Sequence, residues 1–506
     1  MKKFYVTTPI YYANAAPHIG HAYTTVAADV LARYKRGRGT PTFLLTGTDE
    51  HGQKIEEAAK AAGKHAIDFC DMTSAKFREL FKHLDITNDD YIRTTEKRHE
   101  ERAQELFARL LKSGDIYKGR YEGLYDVIAE AYVKESDAVV AKDGKTLLSP
   151  DNGKPLQKLS EETYFFKLSA YGEKLLAHYK ANPSFLMPPH RAQEILSFVQ
   201  GGLEDISVSR AKVKWGIPVP GDEDHTIYVW FDALINYWSA AQSHPAEELW
   251  PADVHIVGKE IFRFHAVIWP AMLMAAGLPL PKQVFAHGWW TVDGKKMSKS
   301  ANNFVDPYEI THEFGVDAFR YFLMREMPFG NDGDFSKPAL LKRYNAELAN
   351  DLGNLVARVA EMTDKFLGGR LPTRPPLEGD FYTTSVAKRT AEIGAKMEAL
   401  DFTGALDVIW EVIRSLNLRV TEKEPWKLAK TDLKQCELVL FDLVWSLRLV
   451  AGWIEPFMPR KATEMQMQLG VRAVPDALTA DDVLAGVKER LGPIQKGPIL
   501  FPRKTG

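Results

Sequence analysis

Cysteine is scarce in this chain, whose 506 residues include only Cys70 and Cys436. The two lie far apart and neither belongs to a Cys-x-x-Cys pair, which argues against a disulfide framework and against a cysteine-rich zinc site. Isolated thiols are typical of proteins from a reducing compartment. We therefore expect a cytoplasmic protein.

Long apolar runs and a strong net charge are also lacking. No apolar run reaches membrane-spanning length, and the N-terminal MKKFYVTTPIYY has no apolar segment of the signal-peptide type. The formal net charge is −2, so any contact with nucleic acid has to come from a local basic surface. The length predicts three or four domains of about 100–200 residues each, with no membrane contact.

What the chain does contain is an alternation of strand and helix patterns. Residues 3–10 and 42–47 read as apolar strands, each followed by a polar turn and a helical period. The alternation resumes with TIYVWFDA, VHIVG and QVFAHGWW, which we interpret as strands, and it predicts an α/β fold with a parallel sheet. From about residue 335 the period is helical almost throughout.

Breaks in this alternation give the predicted domain boundaries. The region 117–226 carries turn signals such as KDGK and PDNGKP and is interpreted as an insertion. The predicted organisation is a first α/β half (1–116), an α+β insertion (117–226), a second α/β half (227–290), a connector (291–345) and a C-terminal all-α domain (346–506).

Two histidines, His18 and His21, follow the first predicted strand and open the first predicted helix. The N-terminus of a helix presents backbone N–H groups and suits an anion such as phosphate. Metal binding would need further ligands, and no cysteine is near. The spacing alone leaves packing, phosphate binding and metal binding open as alternatives.

A lysine-rich segment, VDGKKMSKSANN at 292–303, bears on that choice. Lys295, Lys296 and Lys299 crowd a short stretch, which is either a solvated basic turn or a mobile loop that closes over a polyphosphate. Other motif fragments are incomplete. GTDEHGQK (47–54) lacks the lysine of a phosphate-binding loop, and His99-Glu100 and His312-Glu313 lack the second histidine of a zinc protease.

HIGH after the first strand and KMSKS after the last one form a pair that resembles the signature of class I aminoacyl-tRNA synthetases. Further segments, among them TGTDEHG, YVWFDALINY, GKEIFRFHAVIWPAML, DLGNLVARV and EPW, resemble the methionyl-tRNA synthetases in order along nearly the whole chain. The resemblance implies a split Rossmann-like sheet, a connective-peptide insertion, a stem-contact connector and an anticodon-binding helical bundle. It implies that methionine is activated with ATP and Mg²⁺ and then transferred to tRNA(Met), including initiator tRNA. It also assigns catalytic and ATP-binding roles to His18, Gly20, His21, Lys296, Ser298 and Lys299.

An apolar, aromatic pocket is predicted for the methionine side chain. Ile261, His265 and Trp269 lie at helical spacing, i, i+4 and i+8, and sulfur–aromatic contacts are mildly favourable. Without the resemblance such a stripe is more readily explained by core packing, and only the resemblance makes it a ligand site. The full predicted set is Ile10, Tyr12, Asp49, Trp230, Ala233, Leu234, Tyr237, Ile261, His265 and Trp269. By resemblance, Asp49 binds the substrate ammonium, and Tyr237 and His265 contact the sulfur side.

The helical domain offers three candidates for reading the anticodon, Asn354, Arg358 and Trp426. Asn354 and Arg358 are four residues apart and share a helix face, while Pro425 places Trp426 at a helix start. Such side chains can hydrogen-bond to and stack on unpaired bases. The alternative for Trp426 is a core aromatic; the resemblance implies recognition of the CAU anticodon.

Two departures from the family pattern lead to further predictions. Relatives often carry a zinc knuckle in the insertion, but Asp126, Ala129, Ser149 and Asn152 stand where its ligands would be, so we predict no zinc. The β-barrel module of dimeric relatives is lacking after the helical bundle, which favours a monomer. Alternatives are another class I synthetase for a small apolar amino acid, a small-molecule nucleotidyltransferase, a degenerate synthetase that only binds RNA and, least supported, a metal hydrolase. An insertion of about 110 residues is short for the editing domain of the valine, isoleucine and leucine enzymes.

Overall fold

A computed structural model of the chain describes residues 3–127, 131–133, 135, 137–211, 213–292, 294–296, 304–371, 381–471 and 492–505. The strands are β1 (Phe4–Tyr12), β2 (Thr42–Asp49), β3 (Asp90–Arg93), β4 (Ile116–Asp126), β5 (Ala131–Val133), β6 (Val139–Val140), β7 (Leu147–Leu148), β8 (Gln157–Phe166), β9 (Leu186–Met187), β10 (Ile206–Ser207), β11 (Ser209–Arg210), β12 (Pro218–Val219), β13 (Asp222–Ile227), β14 (Val254–Gly258), β15 (Val284–His287), β16 (Trp290–Val292), β17 (Lys295–Lys296) and β18 (Gly333–Asp334).

The α-helices are α1 (Ile19–Gly37), α2 (Gln53–Ala61), α3 (Ala66–His83), α4 (Lys97–Ser113), α5 (Gly172–Ala181), α6 (Pro189–Gln200), α7 (Val229–Leu234), α8 (Asn236–Ser243), α9 (Trp269–Ala275), α10 (Pro307–Phe314), α11 (Val316–Arg325), α12 (Lys337–Arg343), α13 (Asn354–Leu367), α14 (Arg389–Glu398), α15 (Phe402–Lys423), α16 (Pro425–Thr431), α17 (Leu433–Ile454) and α18 (Pro459–Gln468). Turns of 3₁₀-helix span Leu168–Tyr171, Pro245–Glu247 and Lys259–Ile261, and π-helical segments span Phe264–Ile268, Tyr344–Gly353 and Tyr382–Ala387.

The predicted parallel sheet is confirmed. Six strands pair in the order β3-β2-β1-β14-β15-β9, with parallel register between β1 and β14, β2 and β3, and β15 and β9. Gly47 allows β2 and β3 to approach, because a Cβ atom there would lie 2.0 Å from the carbonyl oxygen of Ile92. The edge strand β9 comes from the region predicted as an insertion, so that region also contributes to the main sheet.

One strand prediction is wrong. In TIYVWFDA only Thr226 and Ile227 belong to a strand, at the end of β13 in a small antiparallel sheet of order β11-β13-β12. Residues Val229–Leu234 form α7, which buries Phe231 and Leu234. A short, wholly apolar run does not distinguish a buried strand from a buried helix by periodicity. In QVFAHGWW, likewise, β15 ends at His287 and Trp290 starts the separate strand β16.

The insertion is built around a long antiparallel pair. β4 and β8 pair over ten positions, from Ile116 opposite Phe166 to Tyr125 opposite Gln157, in a sheet of order β10-β8-β4-β5. Beyond them, β6 and β7 form a small hairpin.

The chain divides into two compact units. Unit 1 comprises residues 1–17, 43–79 and 88–286, and unit 2 comprises residues 18–42, 80–87 and 287–506. Unit 1 therefore contains the insertion and the parallel sheet except for one end residue each of β2 and β15, while α1 belongs to unit 2 with the C-terminal helices. In the described part of the chain, no helix combines the length and apolarity that crossing a bilayer requires.

Candidate active site

The histidine pair lies at the start of α1 in unit 2, where it caps the helix. His18 is the N-cap residue, and its Nδ1 accepts a hydrogen bond from the Gly20 N–H at 3.0 Å. The Nδ1 of His21 accepts from the His18 N–H, also at 3.0 Å. An imidazole nitrogen that accepts carries no hydrogen, so in the neutral form both rings carry their hydrogen on Nε2.

Both rings are therefore prepared as hydrogen-bond donors. Burial and the neighbouring His18 lower the pKa of His21 well below its ordinary value, which keeps this ring neutral at physiological pH. The two rings lie 3.9 Å apart between centroids. Gly20 is required by this arrangement, because a Cβ atom there would lie 2.8 Å from Cε1 of His18.

Both flanks of the lysine-rich segment pack against α1. On one side, Thr24 of α1 hydrogen-bonds to Nε2 of His287 at 2.7 Å, and Tyr23 contacts Trp290 edge-on, with ring centroids 5.8 Å apart. On the other side, the Ile19 N–H donates to the carbonyl of Val305 at 3.4 Å, and Phe304 lies edge-on to His18.

Of the predicted ATP-binding residues in the KMSKS segment, only Lys296 is among the described residues. The backbone of Lys296 lies in β17, which pairs with β16, whereas Ser298 and Lys299 fall outside the described residues. The HIGH residues and both flanks of KMSKS thus belong to one compact unit.

The predicted methionine residues lie in unit 1. Ile10 and Tyr12 are at the carboxyl end of β1 and Asp49 ends the adjacent strand β2, where the Ala13 N–H donates to the Asp49 carbonyl at 2.9 Å. Asp49 is 3 % exposed. The carboxyl ends of parallel strands are where α/β sheets bind ligands.

Tyr237 and His265 form the polar centre of the predicted pocket. The Tyr237 hydroxyl lies 2.6 Å from Nε2 of His265, and Nδ1 of His265 lies 3.0 Å from the carbonyl of Ile261. A carbonyl accepts only, so Nδ1 carries the hydrogen and Tyr237 donates to Nε2. Burial lowers the pKa of His265 to about 4 and raises that of Tyr237, so both groups are neutral at physiological pH.

The segment that carries His265 differs from the predicted α-helix. It runs from a 3₁₀ turn at Lys259–Ile261 through a π-helical turn at Phe264–Ile268 into α9. Pro270 has no N–H and cannot donate the helical hydrogen bond to the carbonyl of Ala266. The Tyr179 hydroxyl donates to that carbonyl instead, at 2.6 Å. The segment that carries Ile261, His265 and Trp269 is therefore not the regular α-helix on which the predicted stripe depends, and π-turns of this kind are frequent at functional sites.

The other predicted pocket residues join the same apolar cluster. Trp230 stacks on Phe264, with ring centroids 3.9 Å apart, and Trp269 lies 6.2 Å from Tyr237 between ring centroids. Leu234, Tyr237 and Trp269 are its buried members among the predicted residues, and Ile10, Tyr12, Trp230 and Ile261 are partly buried. Ala233 is buried beside them on α7.

Sequence reasoning missed a buried network next to this pocket. Asp232 of α7 accepts from Nδ1 of His51 at 2.7 Å and from Nε2 of His99 at 2.6 Å, and Nδ1 of His99 lies 2.8 Å from the Ser239 hydroxyl. Burial works against a charged His51, but Asp232 and, less strongly, Glu100 and Glu50 raise its pKa. The polar run TDEH after an apolar strand is the signal that could have drawn attention to His51.

Two of the positions expected for knuckle ligands, Asp126 and Asn152, are joined by a hydrogen bond. Nδ2 of Asn152 donates to Asp126 at 2.6 Å, and the Ser149 hydroxyl accepts from the Asp151 N–H at 3.2 Å. Ala129 lies outside the described residues. In the described part of the chain, no group of three or more His, Cys, Asp or Glu side chains is arranged to hold a metal ion; the absence of zinc stays a prediction.

The predicted anticodon residues lie on two helices of unit 2 that pack together, α13 and α16. Asn354 and Arg358 are exposed on α13. Trp426 on α16 is 37 % exposed, which disagrees with the alternative of a core aromatic. All three side chains are thus open to solvent.

Comparison with known proteins assigns the chain to a family. Residues 4–360 match the family model of class I tRNA synthetases (M). The chain is 47 % identical over 511 residues to a methionine–tRNA ligase of Caldanaerobacter subterraneus subsp. tengcongensis, covering 99 % of this chain and 79 % of that one. It is 46 % identical to a methionine–tRNA ligase of Streptomyces coelicolor, covering 99 % and 97 %.

A solved structure agrees with this assignment. The methionyl-tRNA synthetase of Mycobacterium tuberculosis in complex with methionyl-adenylate superposes with a TM-score of 0.92 at 42 % identity, covering 99 % of this chain and 100 % of that one. Fold, motifs and relatives together show that the chain belongs to the methionyl-tRNA synthetases of class I.

Proposed function

We propose that the chain is a methionine–tRNA ligase, which activates methionine with ATP and transfers it to tRNA(Met), including initiator tRNA. The observation that carries the proposal is the start of α1. There Nδ1 of each imidazole accepts a hydrogen bond from a backbone N–H, so that Nε2 carries the hydrogen. Both flanks of the KMSKS segment pack on the same helix. The similarity to methionine–tRNA ligases over almost the whole chain supports it.

In the first step a methionine carboxylate oxygen bonds to the α-phosphorus of ATP, and the bond from that phosphorus to the bridging oxygen breaks to release pyrophosphate. The carboxylate is already ionised at neutral pH, so no general base is required. Catalysis then rests on positioning and on stabilising phosphate charge. His18 and His21 would donate Nε2–H bonds to phosphate oxygens, and Lys296 and Lys299 would add positive charge.

Mg²⁺ enters this scheme with ATP, because protein sites typically bind it through substrate phosphates together with one or two carboxylates. When bound, it supplies further positive charge to the departing pyrophosphate. In the second step a terminal adenosine hydroxyl of the tRNA attacks the adenylate carbonyl, and AMP leaves.

The pocket around Tyr237 suits an uncharged thioether. His265 and Tyr237 are both neutral, and the surrounding cluster is apolar and aromatic. Asp49, buried at the carboxyl end of β2, would pair with the α-ammonium of methionine. A pocket of this kind favours methionine over amino acids with polar or charged side chains.

ATP–pyrophosphate exchange measured with each amino acid tests the proposal. We expect exchange with methionine. Exchange driven by valine, isoleucine or leucine instead would favour another class I synthetase. No exchange with any amino acid, together with retained tRNA binding, would favour an RNA-binding degenerate synthetase.

Methionylation of tRNA tests the role of the helical domain. Trp426→Ala should lower kcat/KM for tRNA(Met) by about 5- to 150-fold and leave pyrophosphate exchange unchanged, since base stacking is worth about 1–3 kcal/mol. Ile67→Ala removes an apolar side chain of similar exposure (40 %) on α3 and serves as control. Loss of exchange in Trp426→Ala would contradict the anticodon role. We further propose that the protein is a monomer, which sedimentation can test, and that it is located in the cytoplasm.

A further inference from the structure

The loop after β2 is held by hydrogen bonds at successive residues. It begins at Asp49, whose carbonyl accepts from Ala13, and Glu50 accepts from Arg93 Nε at 2.7 Å and from the Thr95 hydroxyl at 2.5 Å. Gly52 donates its N–H to the carbonyl of Trp215 at 3.0 Å. These hydrogen bonds anchor the backbone of the loop that begins at Asp49.

His51 ties this loop to the helix that carries pocket residues. Its Nδ1 donates to Asp232 of α7 at 2.7 Å, and Asp232 lies between Trp230 and Ala233 in the sequence of that helix. His51 is 4 % exposed and Asp232 is 0 % exposed. A hydrogen bond between ionised partners in such surroundings is stronger than one between neutral groups.

The same carboxylate is bonded by a second histidine in equivalent burial. His99 of α4 donates from Nε2 to the other oxygen of Asp232 at 2.6 Å, and its Nδ1 lies against the Ser239 hydroxyl. His99 is 0 % exposed. It differs from His51 in one respect that matters, because it lies on a helix and not on the Asp49 loop.

We propose that His51 is a positioning residue for methionine binding: through Asp232 it locks the Asp49 loop to α7, and so fixes the ammonium-binding carboxylate relative to the side-chain pocket. This inference rests on the proposed function, in which Asp49 binds the substrate ammonium. His51 acts through Asp49 and contacts no reacting atom.

Protonation of His51 makes the lock responsive to pH. The groups that bear on it are Asp232 from α7, Glu100 from α4 and Glu50 from its own loop, all acidic, and the ring of Trp215 at 5.7 Å. These carboxylates raise the pKa of His51 against the effect of burial. The charged pair is therefore complete at low pH and becomes a neutral hydrogen bond as pH rises through that raised pKa, so KM for methionine should rise with pH.

The test uses pyrophosphate exchange at saturating ATP, from pH 6 upward, on matched variants. His51→Ala removes the lock and should raise KM for methionine about tenfold, with kcat changed by less than about threefold. His51→Asn places an amide donor where Nδ1 lies; it should recover most of the affinity and lose the pH dependence. His99→Ala removes an equally buried partner of the same carboxylate and should lower Tm while leaving KM within about twofold.

Each outcome supports or overturns the inference. Equal increases in KM for His51→Ala and His99→Ala would show that the network is structural only, and an unchanged KM in His51→Ala would refute the lock. Asp49→Asn distinguishes a failure of the His51 inference from a failure of the proposed function. If Asp49→Asn leaves KM for methionine unchanged, the pocket assignment is wrong; if it raises KM while His51→Ala does not, only the lock is wrong. Methionine binding measured by calorimetry on folded variants confirms that KM reports affinity.

Discussion

Substitution of His21 separates the two roles that the structure gives this side chain. Its Nδ1 caps α1 by accepting from the His18 N–H, and its Nε2 carries the hydrogen proposed to bond a phosphate oxygen. Asn reproduces the acceptor near Nδ1 and lacks the distal donor, whereas Gln reproduces the distal donor and lacks the near acceptor. His21→Asn therefore keeps the cap and removes the donor, and His21→Gln does the reverse.

The expected magnitudes differ enough to be measured. Loss of a capping hydrogen bond costs about 0.5–2 kcal/mol of stability. Loss of a donor to charge that develops in a transition state costs about 2.7–4 kcal/mol, or 10²- to 10³-fold in rate. His21→Asn should thus retain Tm within a few degrees and lose about 10²-fold or more in kcat of ATP–pyrophosphate exchange. His21→Gln should lose stability and retain much more of the rate.

The assay is exchange with methionine at saturating ATP, with thermal unfolding followed in parallel. Methionine affinity should survive in both variants, because the proposed pocket residues are others. If His21→Asn exchanges at the wild-type rate while His21→Gln is slow and unstable, the side chain serves the helix alone and the phosphate role is refuted. That outcome would restore the packing interpretation of the histidine pair.

Three further variants probe the buried polar groups. Tyr237→Phe leaves Nε2 of His265 without its donor and should lower the free energy of unfolding in urea by about 1–3 kcal/mol, since an unpaired buried acceptor costs about that much. Arg320→Met leaves the fully buried Asp29 without that partner and should lower the free energy of unfolding in urea by about 3–5 kcal/mol, less so when combined with Asp29→Asn. Burial raises the pKa of Asp317 to about 6, so in the wild type stability is lost as pH rises from about 4 to 6; Asp317→Asn should be more stable by about 3 kcal/mol at pH 8 and gain nothing near pH 3 in urea unfolding.

Much of the fold could be predicted because the local patterns agree with the tertiary environment. The strand before the histidine pair and the helix after it are confirmed, with α1 starting at Ile19, next to the predicted Pro17. The protonation pattern of the pair could not be predicted. It depends on the N-cap backbone of His18, which aims Nδ1 of each ring at a backbone N–H.

The segment around His265 shows where helical periodicity is insufficient. A stripe of residues at i, i+4 and i+8 assumes 3.6 residues per turn, but Pro270 removes one backbone donor and the helix widens into a π-turn before it. The proline is visible in the sequence and could have signalled a distortion. The hydroxyl of Tyr179 that satisfies the freed carbonyl of Ala266 comes from 87 residues away, and no local pattern reveals it.

The hydrogen-bond partners of His51 could not be predicted from local sequence either. GTDEHGQK lacks the lysine of a phosphate-binding loop, and in the structure His51 of this run donates from Nδ1 to Asp232. Yet a polar run directly after a buried strand has to satisfy its hydrogen bonds inside the protein, or the buried groups would cost several kcal/mol each. The partner stands 181 residues along the chain, in a segment that sequence reasoning had taken for a strand. Because α7 is a helix, Asp232 can lie on a face that meets both His51 and His99 while Trp230 and Ala233 remain on the same short element. Because this segment was predicted as a strand, neither α7 nor the hydrogen bonds of Asp232 could be anticipated. The His51 and His99 variants test the part of the site that depends on Asp232 lying on a helix.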